Sequence, residues 1–571
     1  MQTARKFRVG GLVSLCCLFA MLLAACGGNA APNGNTSGNN PALAPADKQV
    51  LREVNEGGDF DSLDPALTQG NGEPINLLFT GLVGPRDDGT VGDQLAASHQ
   101  VSADRLTYTF TLKSGLKFSD GTPLTADDVA YSINRALLPA TKSTTTVYLQ
   151  LIKDYDKITG GKIPTLIGDS LIVKDPTTIS IIISKPAAYF LQALAYPTSY
   201  VVEKKVAEKY GASWTDHLQE GGGDGPFKVA SYGHTTNLTV VPNTNYYNAQ
   251  PKIQKIIYTI GSDRDSNYKA YKAGQYDAAP VPPSQDPIAK ALPGFQHTPA
   301  LASRFIGMNY LAKPFDNIKI RQAFALAMNK DLVINHVLGP DVVTPSNHIV
   351  LDGIPGYNPN LTGPAGVKGT TGDQAKAQQL FKEGLQEGGY SSASALPSIT
   401  LTYNSAYKAG ADTMTSFAAQ WKEVLGVNVK LVGVQPNDLL KQESDTVGHA
   451  GPLQMWYGNW GADYPDPQDW LSLFFGKTDH NSFNYGQNTS PAAAEQQAVQ
   501  AQLNQADGEQ DNTKRMALYQ DAEQKIVNDV GWITTYQSSY FYSVNPKLHG
   551  WKLTPLGVQA TDDWANIYFV Q

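Results

Sequence analysis

The chain has 571 residues, 41% of them hydrophobic and 17% charged, with a formal net charge of -8. That length implies roughly three or four domain-sized units and a large core. Mild acidity argues against nucleic acid or an anionic membrane surface as the main partner.

The start of the chain reads as an address. Arg5, Lys6 and Arg8 are followed by an uncharged apolar run from Gly11 to Leu22, then by Leu23-Ala24-Ala25-Cys26. This pattern predicts a secretory signal peptide over residues 1–25, too short for a stable transmembrane span. Its ending resembles the bacterial lipobox, which implies that Cys26 is lipidated and becomes the first residue of the mature protein. The expected location is extracytoplasmic, with the lipid on Cys26 holding the chain to the cell membrane. All three cysteines lie within residues 1–26. The mature chain is therefore expected to lack internal disulfides, cysteine-ligated metals and cysteine nucleophiles.

Gly27 to Ala46 consists of Gly, Asn, Ala, Pro, Ser and Thr with one leucine. Such a segment cannot bury enough surface to fold. Residues 26–47 are predicted to be a flexible tether, spanning roughly 25 Å root-mean-square for about 20 residues. Order is expected from near Val50.

Strands and helices then alternate. Tyr108, Phe110 and Leu112 alternate with Thr107, Thr109 and Thr111, predicting a half-buried strand. Asp120-Gly121 predicts a turn. Thr125 and Asp128 form a capping box for a helix carrying Val129, Ile133, Ala136 and Leu137, ended by Pro139. A second helix is predicted through Ile320, Ala323, Phe324, Ala327 and Met328. A third runs through Met414, Phe417, Ala418, Trp421 and Leu425, with Gly426 as its cap. Val427, Val429 and Leu431 predict the next strand. Leu453, Met455 and Tyr457 predict another, reaching Trp460, and Pro465 and Pro467 forbid its continuation. Met516, Tyr519, Ala522, Glu523 and Ile526 mark a late helix with one polar intruder. The pattern is mixed α/β, with no tandem repeat.

Catalytic motifs are missing: no H-E-x-x-H, G-x-S-x-G or G-x-G-x-x-G occurs. Gly476-Lys477-Thr478 resembles the tail of a P-loop, but no glycine stands five residues earlier. The nine histidines lack ligand spacing, and His234, His449 and His549, each beside a glycine, read as surface loop residues. No enzyme activity, cofactor or metal is expected; a surface hydrolase is the alternative from another class.

Three stretches carry the functional signal. They are Tyr108–Arg135 (YTFTLKSGLKFSDGTPLTADDVAYSINR), Asn309–Asp331 (NYLAKPFDNIKIRQAFALAMNKD) and Trp460–Pro467 (WGADYPDP). Together they resemble the oligopeptide/dipeptide family of extracellular solute-binding proteins, family 5, which serve ABC importers. Ser62-Leu63-Asp64-Pro65 and Gly223-Asp224-Gly225-Pro226-Phe227 fit the same family, which usually has threonine where Asp224 stands. The resemblance implies an α/β, type II periplasmic-binding-protein fold: two lobes with a hinge, and an extra subdomain inserted in the first. The implied partition gives the first lobe residues 48–91, 223–302 and 529–571, the insert 92–222 and the second lobe 303–528. It also implies a receptor, expected to be monomeric, that captures peptides between the lobes and delivers them to permease subunits. Alternatives within the family are a nickel complex, haem, an opine or an oligosaccharide.

Asp463 follows a strand on a turn flanked by Trp460 and Tyr464. A carboxylate in such an aromatic, partly dry setting favours a cationic partner. In the resembling oligopeptide binders the aspartate of this W-x-A-D motif meets the α-amino group of the peptide, and Asp463 matches it. The resemblance further implies backbone contacts from Asn459 and Gly461, and from Gln69, Gly70 and Asn71 on the other lobe. Phe305, Tyr457 and Tyr536 complete the expected lining. Some oligopeptide binders place an arginine three residues before the tryptophan to meet the peptide carboxylate; here that position is Tyr457.

Overall fold

The computed structural model describes residues 42–571 except for 57, 70–73, 87–89, 262, 341, 479, 558 and 560. The leader, Cys26, Gly70 and Asn71 lie outside the described residues. The chain is packed from Leu43 onward, earlier than its first strand suggests. The Ala44 N–H donates to the Phe569 carbonyl at 2.9 Å, tying the start of the described chain to its end.

Val50–Asn55 is β1. After two three-residue strands, Val83–Pro85 and Val91–Asp93, come Ala96–Val101 (β2) and Thr107–Leu112 (β3). In β3 the Tyr108, Phe110 and Leu112 side chains are buried and the threonines are not, as the alternation predicts. A turn follows, with Gly121 at φ +95° and the Phe118 N–H donating to the Thr122 carbonyl at 2.8 Å. The helix Ala126–Leu137 (α1) begins at Thr125, whose N–H donates to the Asp128 carboxylate at 2.9 Å. Val129, Ile133, Ala136 and Leu137 pack into one core with Phe110. Leu171–Asp175 (β4) and Thr178–Ile182 (β5) complete an antiparallel sheet of order β2-β3-β5-β4.

Phe227–Gly233 (β6), Asn237–Pro242 (β7) and Lys255–Ile260 (β8) join β1 in one sheet, in the order β1-β8-β7-β6. β1 runs parallel to β8, and the other pairs are antiparallel. The short strand Ala278–Pro280 (β9) leads to Phe295–Met308 (β10), 14 residues long.

Ile318–Leu326 (α2) ends two residues before its apolar stripe does; Ala327 and Met328 are buried but not helical. The break arises because the Asn329 side chain accepts the Leu332 N–H at 2.9 Å and starts a new helix at Lys330. After Ile399–Asn404 (β11), the helix Lys408–Leu425 (α3) stops where Gly426 takes φ +71°. Val427 precedes, rather than joins, the strand Val429–Val434 (β12). Met455–Gly461 (β13) follows.

In Asn512–Asn528 (α4) the polar intruder Glu523 is fully buried and accepts the Ile349 and Val350 N–H groups, both at 2.8 Å. His549 sits in a two-residue strand with Leu548, not in a loop, whereas His234 and His449 lie exposed in turns.

Trp532–Val544 (β14) returns the chain. The large sheet runs β9-β14-β10-β13-β11-β12, with Thr344–Pro345 added on β14. β10 and β14 pair antiparallel along most of their length. At one end Phe295 faces Ser543 beside β9; at the other Gly307 faces Trp532. The ladder shifts register between Pro299 and Ser303 and again between Arg304 and Phe305.

Candidate functional site

The site grows from β13. On one side it pairs with β10 along its whole length, Gly461 opposite Ala302 and Asn459 opposite Arg304. On the other side β11 covers only Met455 to Tyr457. Among the described residues, no strand continues that ladder past Tyr457. Gly458 to Gly461 thus form an open strand edge of the kind that accepts an added extended chain.

The turn after β13 is held from beneath. The Asp466 carboxylate accepts the Gln468 N–H at 2.9 Å and two Arg515 hydrogen bonds at 2.7 and 2.6 Å. The Asp469 carboxylate accepts the Asp463 N–H at 2.9 Å. Two of the aspartates near the motif are therefore framework, and Asp463 is the one turned to the other lobe. Its carboxylate accepts the hydroxyl of Tyr148, from the inserted subdomain. Tyr148 stacks on Tyr196, centroids 3.8 Å apart, and meets Tyr464 edge-on at 6.2 Å. Burial pushes the Asp463 carboxyl up to about 7, against the Tyr148 hydrogen bond, which lowers it. Asp469 is also held well above the usual range, by burial and then by the Asp463 charge. A cation placed here would relieve both.

The other expected residues divide between the two faces of the sheet. On one face lie Tyr457, Asn459 and Tyr536. Asn459 is exposed, and its amide oxygen accepts from Arg304 at 3.4 Å. Tyr457 and Tyr536 are buried; the Tyr536 hydroxyl lies 3.1 Å from that of Tyr407. On the other face, Trp460 is half-buried with its ring edge-on to Phe474 at 4.8 Å. Phe305 is inside the core, stacked on Trp532 at 3.9 Å. Gly461 lies exposed at the strand end. Tyr464 is buried and donates to Gln468. Gln69 is exposed at the other lobe; its N–H donates to Asp61 at 2.7 Å and its amide to Thr144 at 3.5 Å. Tyr148, Tyr196, Arg304 and Tyr407 were not singled out by sequence. Tyr148 stands 315 residues from its partner and carries no local signal.

Two further motifs are structural. Asp64 of Ser62–Pro65 pairs with Arg135, which ends the first stretch, at 3.0 Å through Nη1, and accepts the Trp214 indole N–H at 2.8 Å. Asp224 is buried, accepting the Thr80 N–H at 3.0 Å and its hydroxyl.

A model of the bacterial extracellular solute-binding proteins, family 5, matches residues 90–482. The chain belongs to that family. It is 29% identical over 533 residues to the oligopeptide-binding protein OppA of Bacillus subtilis, covering 91% of this chain and 92% of the relative. It is 30% identical over 524 residues to the periplasmic oligopeptide-binding protein OppA of Escherichia coli, covering 88% and 89%. The solved structure of the Escherichia coli murein tripeptide binding protein MppA superposes with a TM-score of 0.74 at 26% identity, over 93% of this chain and all of that one. The fold is accordingly that of the periplasmic binding proteins. The chain is an extracytoplasmic solute-binding receptor, not an enzyme. Among the described residues, no helix is long and apolar enough to cross a membrane.

Proposed function

We propose that the chain captures peptides between its lobes and delivers them to the permease of an ABC importer. The observation that carries this reading is Asp463: a carboxylate at the end of an open strand edge, set among Tyr148, Tyr196 and Tyr464. The edge suits a peptide backbone, which is the same whatever the side chains. The carboxylate suits the free ammonium at its start. The names of the relatives point the same way. Residues 48–91, 223–302 and 529–571 make one moving body with the insert 92–222, and residues 303–528 make the other. Wet, roomy pockets beside the edge would let many side chains pass.

Breaking a buried ion pair costs roughly 3–5 kcal/mol, or about two to four decades of affinity. Asp463→Asn removes the charge on the protein, and N-acetylation removes it from the peptide. Each abolishes one and the same interaction, so the two losses are expected not to add. Calorimetry on the four combinations checks this. Parent-like binding of free peptides by Asp463→Asn would reduce Asp463 to a turn residue.

The receptor is held at the membrane by lipid on Cys26; the expected tether of residues 26–47 is shorter at its far end, since Leu43 and Ala44 already pair with Val570 and Phe569. The lipobox-like sequence supports this, each buried methylene contributing roughly 0.8 kcal/mol. Cys26→Ser is expected to move the protein from the membrane fraction to the soluble one; unchanged fractionation refutes the anchor.

A further inference from the structure

Away from Asp463, a second seam joins the residues read as the insert, 92–222, to residues 303–528. One short stretch, Asn504 to Gln510, receives its contacts. The Gln510 amide oxygen accepts from Arg105 at 2.7 Å, and the Asn504 amide oxygen accepts from Lys185 at 3.2 Å. Between these two, the Asp507 carbonyl accepts the Ala188 N–H at 3.0 Å. A Cβ built on Gly508 would lie 3.6 Å from the Pro186 carbonyl oxygen, an ordinary van der Waals separation, so the two surfaces touch.

Both sides of the seam are held in place from behind. Asn504 to Gly508 is the last turn of the helix Ala493–Gly508. Asp507 is pinned there, because its carboxylate accepts the Ser472 and Tyr519 hydroxyls, both at 2.6 Å. On the insert, the Tyr108 hydroxyl of β3 donates to the Ala187 carbonyl at 3.3 Å and fixes the loop that carries Lys185 and Ala188. Arg105 stands in the turn between β2 and β3 at φ +60°. That is left-handed backbone, which costs a residue with a long side chain more than it costs glycine. Asp104 stiffens the turn, accepting the Leu106 N–H at 3.1 Å and the Ser102 hydroxyl at 2.5 Å. A strained residue that carries a cation across an interface points to a role for that side chain.

The chemistry of the seam keeps it weak. Arg105 and Lys185 are exposed, each meets a neutral amide, and among the described residues neither forms an ion pair. Exposed contacts of this kind contribute little each. A cavity of about 440 Å³ reaches from the seam, at Lys185, Asn504 and Asp507, to Gln468, which accepts the Tyr464 hydroxyl beside the candidate site. Amides and hydroxyls make up most of its walls. The seam therefore holds by hydrogen bonds more than by apolar burial, and it can part without exposing a core.

On this geometry, and resting on the peptide reading above, we propose that the seam is a releasable latch on the closed receptor. It gives the closed form a weight that does not depend on the ligand. The unliganded receptor then samples closure, and a ligand stabilises a form that is already present. The candidate site decides which solute is held, and the latch decides how firmly.

The test loosens and tightens the seam in the full-length protein. Arg105→Gly with Lys185→Ala removes both cations, and glycine accepts the backbone of residue 105. Asn504→Asp with Gln510→Glu sets a carboxylate opposite each cation. Small-angle scattering after exhaustive dialysis reads the radius of gyration, expected to rise in the loosened variant and to fall in the tightened one. Calorimetry with trialanine and trileucine reads affinity. The loosened variant is expected to lose about threefold to tenfold for both peptides alike, and the tightened variant to gain for both. Equal radii in all three proteins overturn the latch, whatever the peptides do. Unequal losses for the two peptides, or none, also overturn it. If the loosened variant does not fold, the tightened one decides by the same two readings. A parent that binds neither peptide overturns the peptide reading, and the radii still decide the latch.

Discussion

Asp224 shows how one side chain can set the pH response of the whole protein. Burial pushes its carboxyl up to about 7, against the two hydrogen bonds from Thr80. A free aspartate titrates near 3.9. The folded chain therefore binds this proton more tightly than the unfolded chain does. Stability contributed by the protonated form is present below about pH 4 and is lost as pH rises to about 7. Above that, holding the carboxylate charged costs on the order of 4 kcal/mol, at about 1.4 kcal/mol for each tenfold gain in proton affinity. Asp224→Asn keeps the shape and can still meet Thr80. It is expected to raise the melting temperature at pH 8 and to leave it nearly unchanged at pH 4. Equal effects at the two pH values would show that the charge is not what costs.

At the scale of elements, β13 has both faces covered. Met455 and Tyr457 pack into one core cluster, while Trp456 packs into another with Phe305 and Trp532. This limits what the sequence can tell. Alternation identified the strand, and two prolines located its end, because each is a local effect. Gly426 marked the stop of α3 for the same reason. The end of α2 was not legible: its stripe continues into Ala327 and Met328, and only the cap at Asn329 breaks it. Nor could alternation say which face of β10 opens toward ligand. Phe305 and Arg304 are neighbours in sequence, yet one is core and the other meets Asn459. Tyr148 came from another subdomain altogether. Phe305→Ala should cost about 3–5 kcal/mol, as for other aromatic truncations in cores. Loss of stacking on Trp532 would appear as a lower urea midpoint. A parent-like midpoint with weakened ligand binding would put Phe305 in the site instead.

At the scale of the molecule, several polar contacts join residues 92–222 to residues 303–528: Tyr148 meets Asp463, the Ala188 N–H donates to the Asp507 carbonyl at 3.0 Å, Lys185 reaches Asn504 at 3.2 Å, and Arg105 reaches Gln510 at 2.7 Å. The long pair β10 and β14 has register shifts that mark where its ladder is least regular. That combination suits a hinge. A peptide held between lobes is expected to shrink the radius of gyration and to raise stability by about 2.7 kcal/mol at 100 times its dissociation constant. Small-angle scattering and thermal melting with a tight-binding peptide check the two. A particle that melts higher without shrinking would place the ligand outside a closing cleft.

The path of β14 has a consequence for how the protein is made. It is the last long strand of the chain, yet it lies inside the large sheet, between β9 and β10. The residues after it close the first lobe: the Trp551 indole donates to Glu53 at 2.9 Å, and Phe569 binds Ala44. The amino-terminal lobe is therefore unfinished until the final residues arrive. Losing the last residues therefore removes partners from the first strand region as well as from the end of the chain.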